Sequence, residues 1–148
     1  MKIVLAADHA GFNLKEKIKD YFKKKKFEVI DCGAFSYNKT DDYPLFIKRA
    51  AQIVSQDPFK TKAIIFGKSG QGEAIVANRF RRVRAVVYYG GPLKIIKLSR
   101  EHNDSNVLSL GAGFLNFEEA KRAVKLWLAT PFSKEERHQR RIKQIDDL

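Results

Sequence analysis

The stretch KAIIFGKSGQGEAIVANR, Lys62 to Arg79, decides how the chain is read. Its first five residues, Lys62 to Phe66, apolar from Ala63 onward, have the pattern of a strand buried on both faces. Its last eight, Gly72 to Arg79, read as the opening of a helix. Between them, Gly67, Gly70 and Gly72 keep the backbone bare, and Glu73 follows at the helix entrance. A strand, a glycine turn and a helix make half of a βαβ unit. The rest of the chain repeats that alternation.

Upstream, Lys2 to Ala7 reads as a strand. Phe12 to Lys26 reads as a helix, with Leu14, Ile18 and Phe22 on one face and lysines between them. Phe27 to Cys32 is a second strand, and Gly33 to Asp42 a polar loop. Pro44 suits the first turn of a helix that runs to Ser55. Downstream, Arg84 to Tyr89 and Val107 to Leu110 are strands. Pro92 to Glu101 and Glu118 to Leu128 are helices. Ser133 and Glu136 have the spacing of a capping box, so a last helix is expected to start there. It carries Arg137, Arg140 and Arg141, with Ile142 and Ile145 on a neighbouring stripe. The alternation predicts an α/β fold: a Rossmann-like open five-stranded parallel sheet with helices on both faces and a C-terminal helix. No linker divides residues 1–148, so one domain is expected.

Composition narrows the function. The chain has 148 residues, 44% of them hydrophobic and 31% charged, which is a globular balance. No apolar run approaches the ~20 residues of a membrane span. Ile3 to Ala7 is too short for a signal-peptide core, so a cytoplasmic location is the default expectation. The single cysteine, Cys32, has no internal disulfide partner and reads as a small core residue. His9, His102 and His138 show no metal-ligand spacing. The net charge of +12 favours anionic partners, from nucleic acids to phosphorylated metabolites. No nucleic-acid-binding motif accompanies it, and most aromatics sit on predicted core faces. Neither a nucleic-acid nor a membrane partner is expected.

The glycine turn admits two readings, a tight turn and an anion site. A Walker A loop requires a glycine where Lys62 stands, and a dinucleotide fingerprint requires one at Ile75. Both patterns fail. Glu73 would repel a phosphate beside it. Convergent N–H donors next to a carboxylate suit a reaction in which a base removes a proton and the donors hold the oxyanion. If the first and third strands are neighbours, the Asp8–Gly11 turn shares that crevice, because ligands of such sheets bind at the carboxyl ends of the strands. Asp8 could equally cap the first helix, and Glu73 could be a surface residue favoured by the helix dipole.

The motifs ADHAG (7–11), DCGA (31–34), DYP (42–44), GKSGQGEAIVANR (67–79), REHND (100–104) and RHQRR (137–141) together resemble the ribose-5-phosphate isomerase B family. Its superfamily includes the galactose-6-phosphate isomerase subunits. The resemblance implies a cofactor-independent, metal-free isomerisation of ribose 5-phosphate to ribulose 5-phosphate through a cis-enediolate. It implies a homodimer or homotetramer with active sites at subunit interfaces. One branch of the family uses a cysteine base where this chain has Gly67. The other uses a glutamate, matched by Glu73. The resemblance further assigns Ser69 to substrate contact and the N–H groups of Gly70 to Gly72 to the enediolate oxygen. His102 and Asp8 would open the sugar ring. His9, Arg137 and Arg141 would hold the phosphate, and Tyr43 and Asn103 the sugar. The chain departs from the family in two places. Gly113 stands where an arginine is common, and the Tyr88–Pro92 segment is longer. An isomerase of hexose 6-phosphates is therefore the alternative expectation.

Overall fold

The computed structural model describes all 148 residues. In chain order the elements are β1 (Lys2–Ala7), α1 (His9–Lys24), β2 (Glu28–Asp31), α2 (Tyr43–Gln56), β3 (Thr61–Gly67), α3 (Gln71–Ala77), β4 (Ala85–Tyr88), α4 (Lys94–Glu101), β5 (Val107–Gly111), α5 (Phe117–Ala129) and α6 (Glu136–Asp146). The five strands form one parallel sheet in the order β2-β1-β3-β5-β4. This is the α/β architecture expected from the alternation. No helix is long and apolar enough to cross a membrane.

Side chains alternate across a strand, so each strand feeds two cores. Ile3, Leu5, Ile64, Phe66 and Leu108 face α1, α4 and α5, together with Ile18, Phe22 and the fully buried Trp127. Val4, Ala6, Ala63, Ile65 and Val107 face α2 and α3, with Ile47, Val54 and Ala77. Burial on both faces explains the continuous apolar runs. β1 and β3 are direct neighbours, with Ala7 opposite Phe66. The chain leaves β1 towards β2 on one side and returns as β3 on the other. The crevice between their carboxyl ends is the switch point of the sheet.

Several boundaries differ from expectation. α1 begins at His9 because Asp8 is its N-cap, its Oδ1 accepting from the amides of Ala10 at 3.0 Å and Gly11 at 3.1 Å. The cap reading of Asp8 therefore holds. Gly11 has a packing reason: a Cβ there would lie 2.5 Å from the Phe66 backbone. The capping box expected at Ser133 does not form. α6 starts at Glu136, and the Ser133 hydroxyl instead meets His138 Nδ1 at 2.7 Å. A capping box occurs at α5, where the Asn116 side chain accepts from the Glu119 amide and Glu119 reciprocates, each at 2.9 Å.

Lys15 departs from the lysine-rich exposed face of α1. It is fully buried, and its Nζ donates to Asp31 at 2.9 and 3.0 Å and to the Ala34 carbonyl at 2.7 Å. Burial alone would raise the Asp31 carboxyl, but hydrogen bonds from Lys19 and Lys15 outweigh it and hold the group below its ordinary value. The ammonium thus ties α1 to the end of β2. Removing one partner of a buried pair is costly, so Lys15→Ala is expected to destabilise the fold by about 3–5 kcal/mol in urea unfolding.

Candidate active site

Gly67 is the last residue of β3, and the turn after it is lashed to the end of β5. The Ala112 amide donates to the Gly67 carbonyl at 2.8 Å and the Gly113 amide to the Lys68 carbonyl at 2.9 Å. Gly70 sits in the left-handed region with φ of 79°, which glycine adopts without a Cβ penalty. The buried Ser109 hydroxyl, one residue into β5 from Leu108, donates to the Gly70 carbonyl at 2.5 Å. Ser109 fixes the loop from beneath, and no motif in the sequence marked it. The Ser69 hydroxyl is half-buried and accepts weakly from the Gln71 amide at 3.4 Å. α3 then begins, and its leading N–H groups have no partner within the helix.

Glu73 lies in the first turn of α3 and is 4% exposed. It is not a surface residue favoured only by the helix dipole. Its carboxylate covers Gly67 so closely that a Cβ at position 67 would overlap it. Tyr43, the first residue of α2, covers Gly72 in the same way, 2.7 Å from where a Cβ would stand. Burial raises the Glu73 carboxyl above its ordinary value, the residue's own backbone N–H opposes this, and the charge of Asp8 adds to it. A carboxylate with raised proton affinity beside helix N–H groups is suited to taking a proton from carbon.

His9 adjoins this group across the switch point. Its Nδ1 lies 2.6 Å from Asp41 Oδ1, and its amide donates to the same oxygen at 2.9 Å. The hydrogen bond with Asp41 raises His9 above its ordinary value, against a desolvation effect, and Asp8, with Oδ2 3.9 Å away, helps. An Nδ1–H held by Asp41 leaves Nε2 for a ligand. Asp41 is thus a site residue that motif reading missed. It lies one residue before the DYP motif, and only its contact with His9 reveals it. Asp8, His9 and Asp41 offer ligand atoms within 4.8 Å of one another. The Asp41 hydrogen bond already engages His9 Nδ1.

The other expected residues stand elsewhere. α4 crosses back from the end of β4 to the start of β5, so its C-terminus lies at the amino edge of the parallel sheet. His102 caps that end. Its ring lies 4.3 Å from that of His138 on α6, and the Ser133 amide donates to the Glu101 carbonyl at 3.1 Å. Asn103 is exposed beside it, and Arg137 and Arg141 are exposed on α6. Arg137 pairs with Glu135 at 2.9 Å. Asp8, His9, Tyr43, Gly67, Ser69, Gly70, Gly72 and Glu73 therefore gather at the carboxyl edge. His102, Asn103, Arg137 and Arg141 gather at the amino edge. Within one chain, His102 does not meet Asp8 or Glu73.

At the rim, a Cβ on Gly113 would lie 3.0 Å from the Lys68 carbonyl oxygen and 3.1 Å from its Cγ. The bare residue gives Lys68 its room. In the long segment after β4, Gly90 and Gly91 have φ of 124° and 94°, and Tyr89 stacks on Phe114 with ring centres 5.9 Å apart.

Comparison with known proteins bears on the family and the fold. Residues 3–145 match the family described as Ribose/Galactose Isomerase. The ribose-5-phosphate isomerase B of Mycobacterium tuberculosis (strain CDC 1551 / Oshkosh) is 39% identical over 142 residues, covering 96% of this chain and 86% of that protein. That of Escherichia coli (strain K12) is 38% identical over 144 residues, covering 97% and 93%. The crystal structure of ribose-5-phosphate isomerase B from Mycoplasma genitalium with bound ribulose-5-phosphate superposes with a TM-score of 0.93 at 34% identity, covering 99% of this chain and 94% of that one. A family match along almost the whole length, with relatives well above 30% identity, shows that this chain belongs to the ribose/galactose isomerase family.

Proposed function

We propose that the protein interconverts ribose 5-phosphate and ribulose 5-phosphate, with Glu73 as the base. The observation that carries this reading is the buried Glu73 carboxylate over Gly67, next to the leading amides of α3 and to Asp8. With the sugar ring open, Glu73 takes the proton from C2. The C2–H electron pair forms the C1–C2 double bond, and the C1 carbonyl becomes the enediolate oxygen. The amides of Gly70 to Gly72 hold that oxygen. The C2 hydroxyl then gives its proton to the C1 oxygen, leaving the charge on the C2 oxygen, and Glu73 returns its own proton to C1 as the C2–O bond becomes the carbonyl. The reaction has no net oxidation, so acid–base groups and hydrogen-bond donors suffice for it. Tyr43, Ser69 and Asn103 contact the sugar.

The split between the two sheet edges supports a site completed by a second copy. In that assembly the His102 and Asn103 of one chain face the Asp8 and Glu73 of its partner, in a homodimer or a tetramer built from such pairs. His102 and Asp8 open the furanose ring. Arg137 and Arg141, four apart on α6, clamp the phosphate opposite His9, whose protonation the Asp41 hydrogen bond favours. A hexose 6-phosphate is the second reading, favoured only by the bare Gly113 at the rim. Comparing ribose, allose and galactose phosphates by NMR decides between the two.

Glu73→Gln is expected to lose at least about a hundredfold in turnover, the lower end of what a positioned base contributes. Substrate binding should survive, and exchange of the C2 proton with solvent should stop. Normal exchange in that variant removes Glu73 from the mechanism. Mixing Glu73→Gln and His102→Ala subunits, each inactive alone, should restore roughly a quarter of wild-type activity after exchange into two-fold dimers. No recovery from well-folded, exchanged mixtures rules out the shared site.

The third expectation concerns pH. His9 is raised, so its charge persists from acid pH through the ordinary histidine value and is lost only as pH climbs past the higher folded value. Asp41→Asn removes the main cause. In that variant KM for ribose 5-phosphate should begin to climb nearer pH 6.5, the unperturbed value, than it does in the wild type. Superimposable KM–pH profiles would show that Asp41 does not tune His9.

A further inference from the structure

A second cavity opens at the amino edge of the sheet, between β3, the loop before β4 and α6. Its volume is about 790 Å³, within the range of small-molecule sites. Lys62, the second residue of β3, stands at its floor, and Gly67 is at the far end of the same strand, roughly 16 Å away at about 3.3 Å per residue. Gln139, Ile142, Lys143 and Asp146 line it from α6. At 3.6 residues per turn, these four occupy the face opposite Arg137 and Arg141. This face of α6 is distinct from the one that carries Arg137 and Arg141, while Arg81, Arg82 and Arg84 also line the adjoining cavity that contains Asn103.

Its charge is unbalanced. Seven cationic side chains and three carboxylates line it. Arg84 and Arg100 are accounted for: Asp104 bridges them at 3.0 and 2.8 Å, and Asp146 pairs with Arg84 at 3.0 Å. Lys62, Arg81, Arg82, Lys134 and Lys143 have no ion pair. Lys62 is half-buried, lies over the Trp127 ring at 5.5 Å and has no carboxylate within reach. Burial and the nearby Arg100 lower its pKa to about 8, and Asp104 only partly offsets them. An unpaired, desolvated ammonium in a cationic cavity gains from an anion.

Backbone conformation singles out the same place. Four non-glycine residues have left-handed φ, and three of them line this cavity: Arg82 at 61°, Asp104 at 44° and Lys134 at 57°. Such residues are uncommon and gather where a structure holds a ligand. Each is secured. The Arg82 carbonyl accepts from Asn106 Nδ2 at 2.8 Å, the Lys134 carbonyl from Gln139 Nε2 at 2.6 Å, and the Asp104 carboxylate binds both arginines. Phe59 stands at the rim 82% exposed, and Phe132 lines the wall. A bare phenyl ring beside unpaired cations suits a planar base attached to phosphates.

We infer that this cavity is a second ligand site, one that binds a nucleoside di- or triphosphate, with its phosphates on Lys62, Arg81 and Arg82 and its base on Phe59. The test is calorimetric titration of the whole protein with ADP. One saturable site per chain is expected. Arg81→Ala and Phe59→Ala, both exposed substitutions, should each weaken ADP about tenfold, in line with the usual worth of a stacked base or a phosphate contact. Both variants should turn over ribose 5-phosphate as the wild type does, and Arg137→Ala should bind ADP normally. Absence of saturable binding overturns the inference. So does binding that depends on Arg137 but not on Arg81, which would put ADP in the isomerase site. Tripolyphosphate binding as tightly as ADP removes the role of the base. Labelled RNA binding more tightly than ADP, with a steep loss on adding salt, would mean a backbone-binding surface instead.

Discussion

The Glu73 carboxylate fills the space that any side chain at position 67 would need. This one contact organises the carboxyl edge of the molecule. It requires glycine at the end of β3, where the chain must turn without a Cβ. It takes the carboxylate out of water and brings it beside Asp8, which together raise its affinity for a proton. The neighbouring Gly72 accepts the Tyr43 ring for the same steric reason, so the loop after β3 and the start of α2 close over one small volume. The rest of the sheet serves this contact by setting β1 directly against β3, which carries Asp8 and His9 to the same crevice.

Strand by strand, the sheet was legible because both of its faces are covered. Runs such as Ile3 to Ala7 and Ala63 to Phe66 have no polar interruption, and periodicity rules suffice for them. The site was legible where chemistry follows directly on a strand end: the glycines, Glu73, Asp8 and His9 are adjacent in sequence to β1 and β3. What escaped has physical causes. Asp41 lies 32 residues from His9, and nothing in its neighbours announces the bond between them. Lys15 has the spacing of an exposed lysine, and its burial depends on Asp31 arriving from β2. Ser133 and Glu136 satisfy a local rule that His138 overrides, because its buried ring takes the Ser133 hydroxyl. The resemblance brings His102 and Asp8 together at an interface between subunits, and within one chain they stand apart. Chain direction separates them, since a crossover helix delivers its C-terminus to the opposite edge of the sheet from that of the glycine turn.

The large positive charge is also distributed with purpose. Part of it stands in the last turn of α1 as Lys23 and Lys24, part is neutralised in the Arg84–Asp104–Arg100 bridge, and part surrounds the amino-edge cavity without carboxylates to match. Charge that a fold neither pairs nor spreads over solvent-facing helices draws attention to where it converges. Here that place coincides with the three left-handed residues, two features that arise independently.

The Ser109 hydroxyl beneath Gly70 has a consequence for traffic through the crevice. A turn pinned to a central strand, and lashed to it again through the Gly67 and Lys68 carbonyls, cannot swing aside to admit a sugar. After β4 the chain is more open: Gly90 and Gly91 have free space around their α-carbons, with the Tyr88 hydroxyl donating to the Gly91 carbonyl at 2.9 Å. A floor pinned in this way holds its N–H donors in place before any ligand arrives, so they need no rearrangement when charge develops beside them.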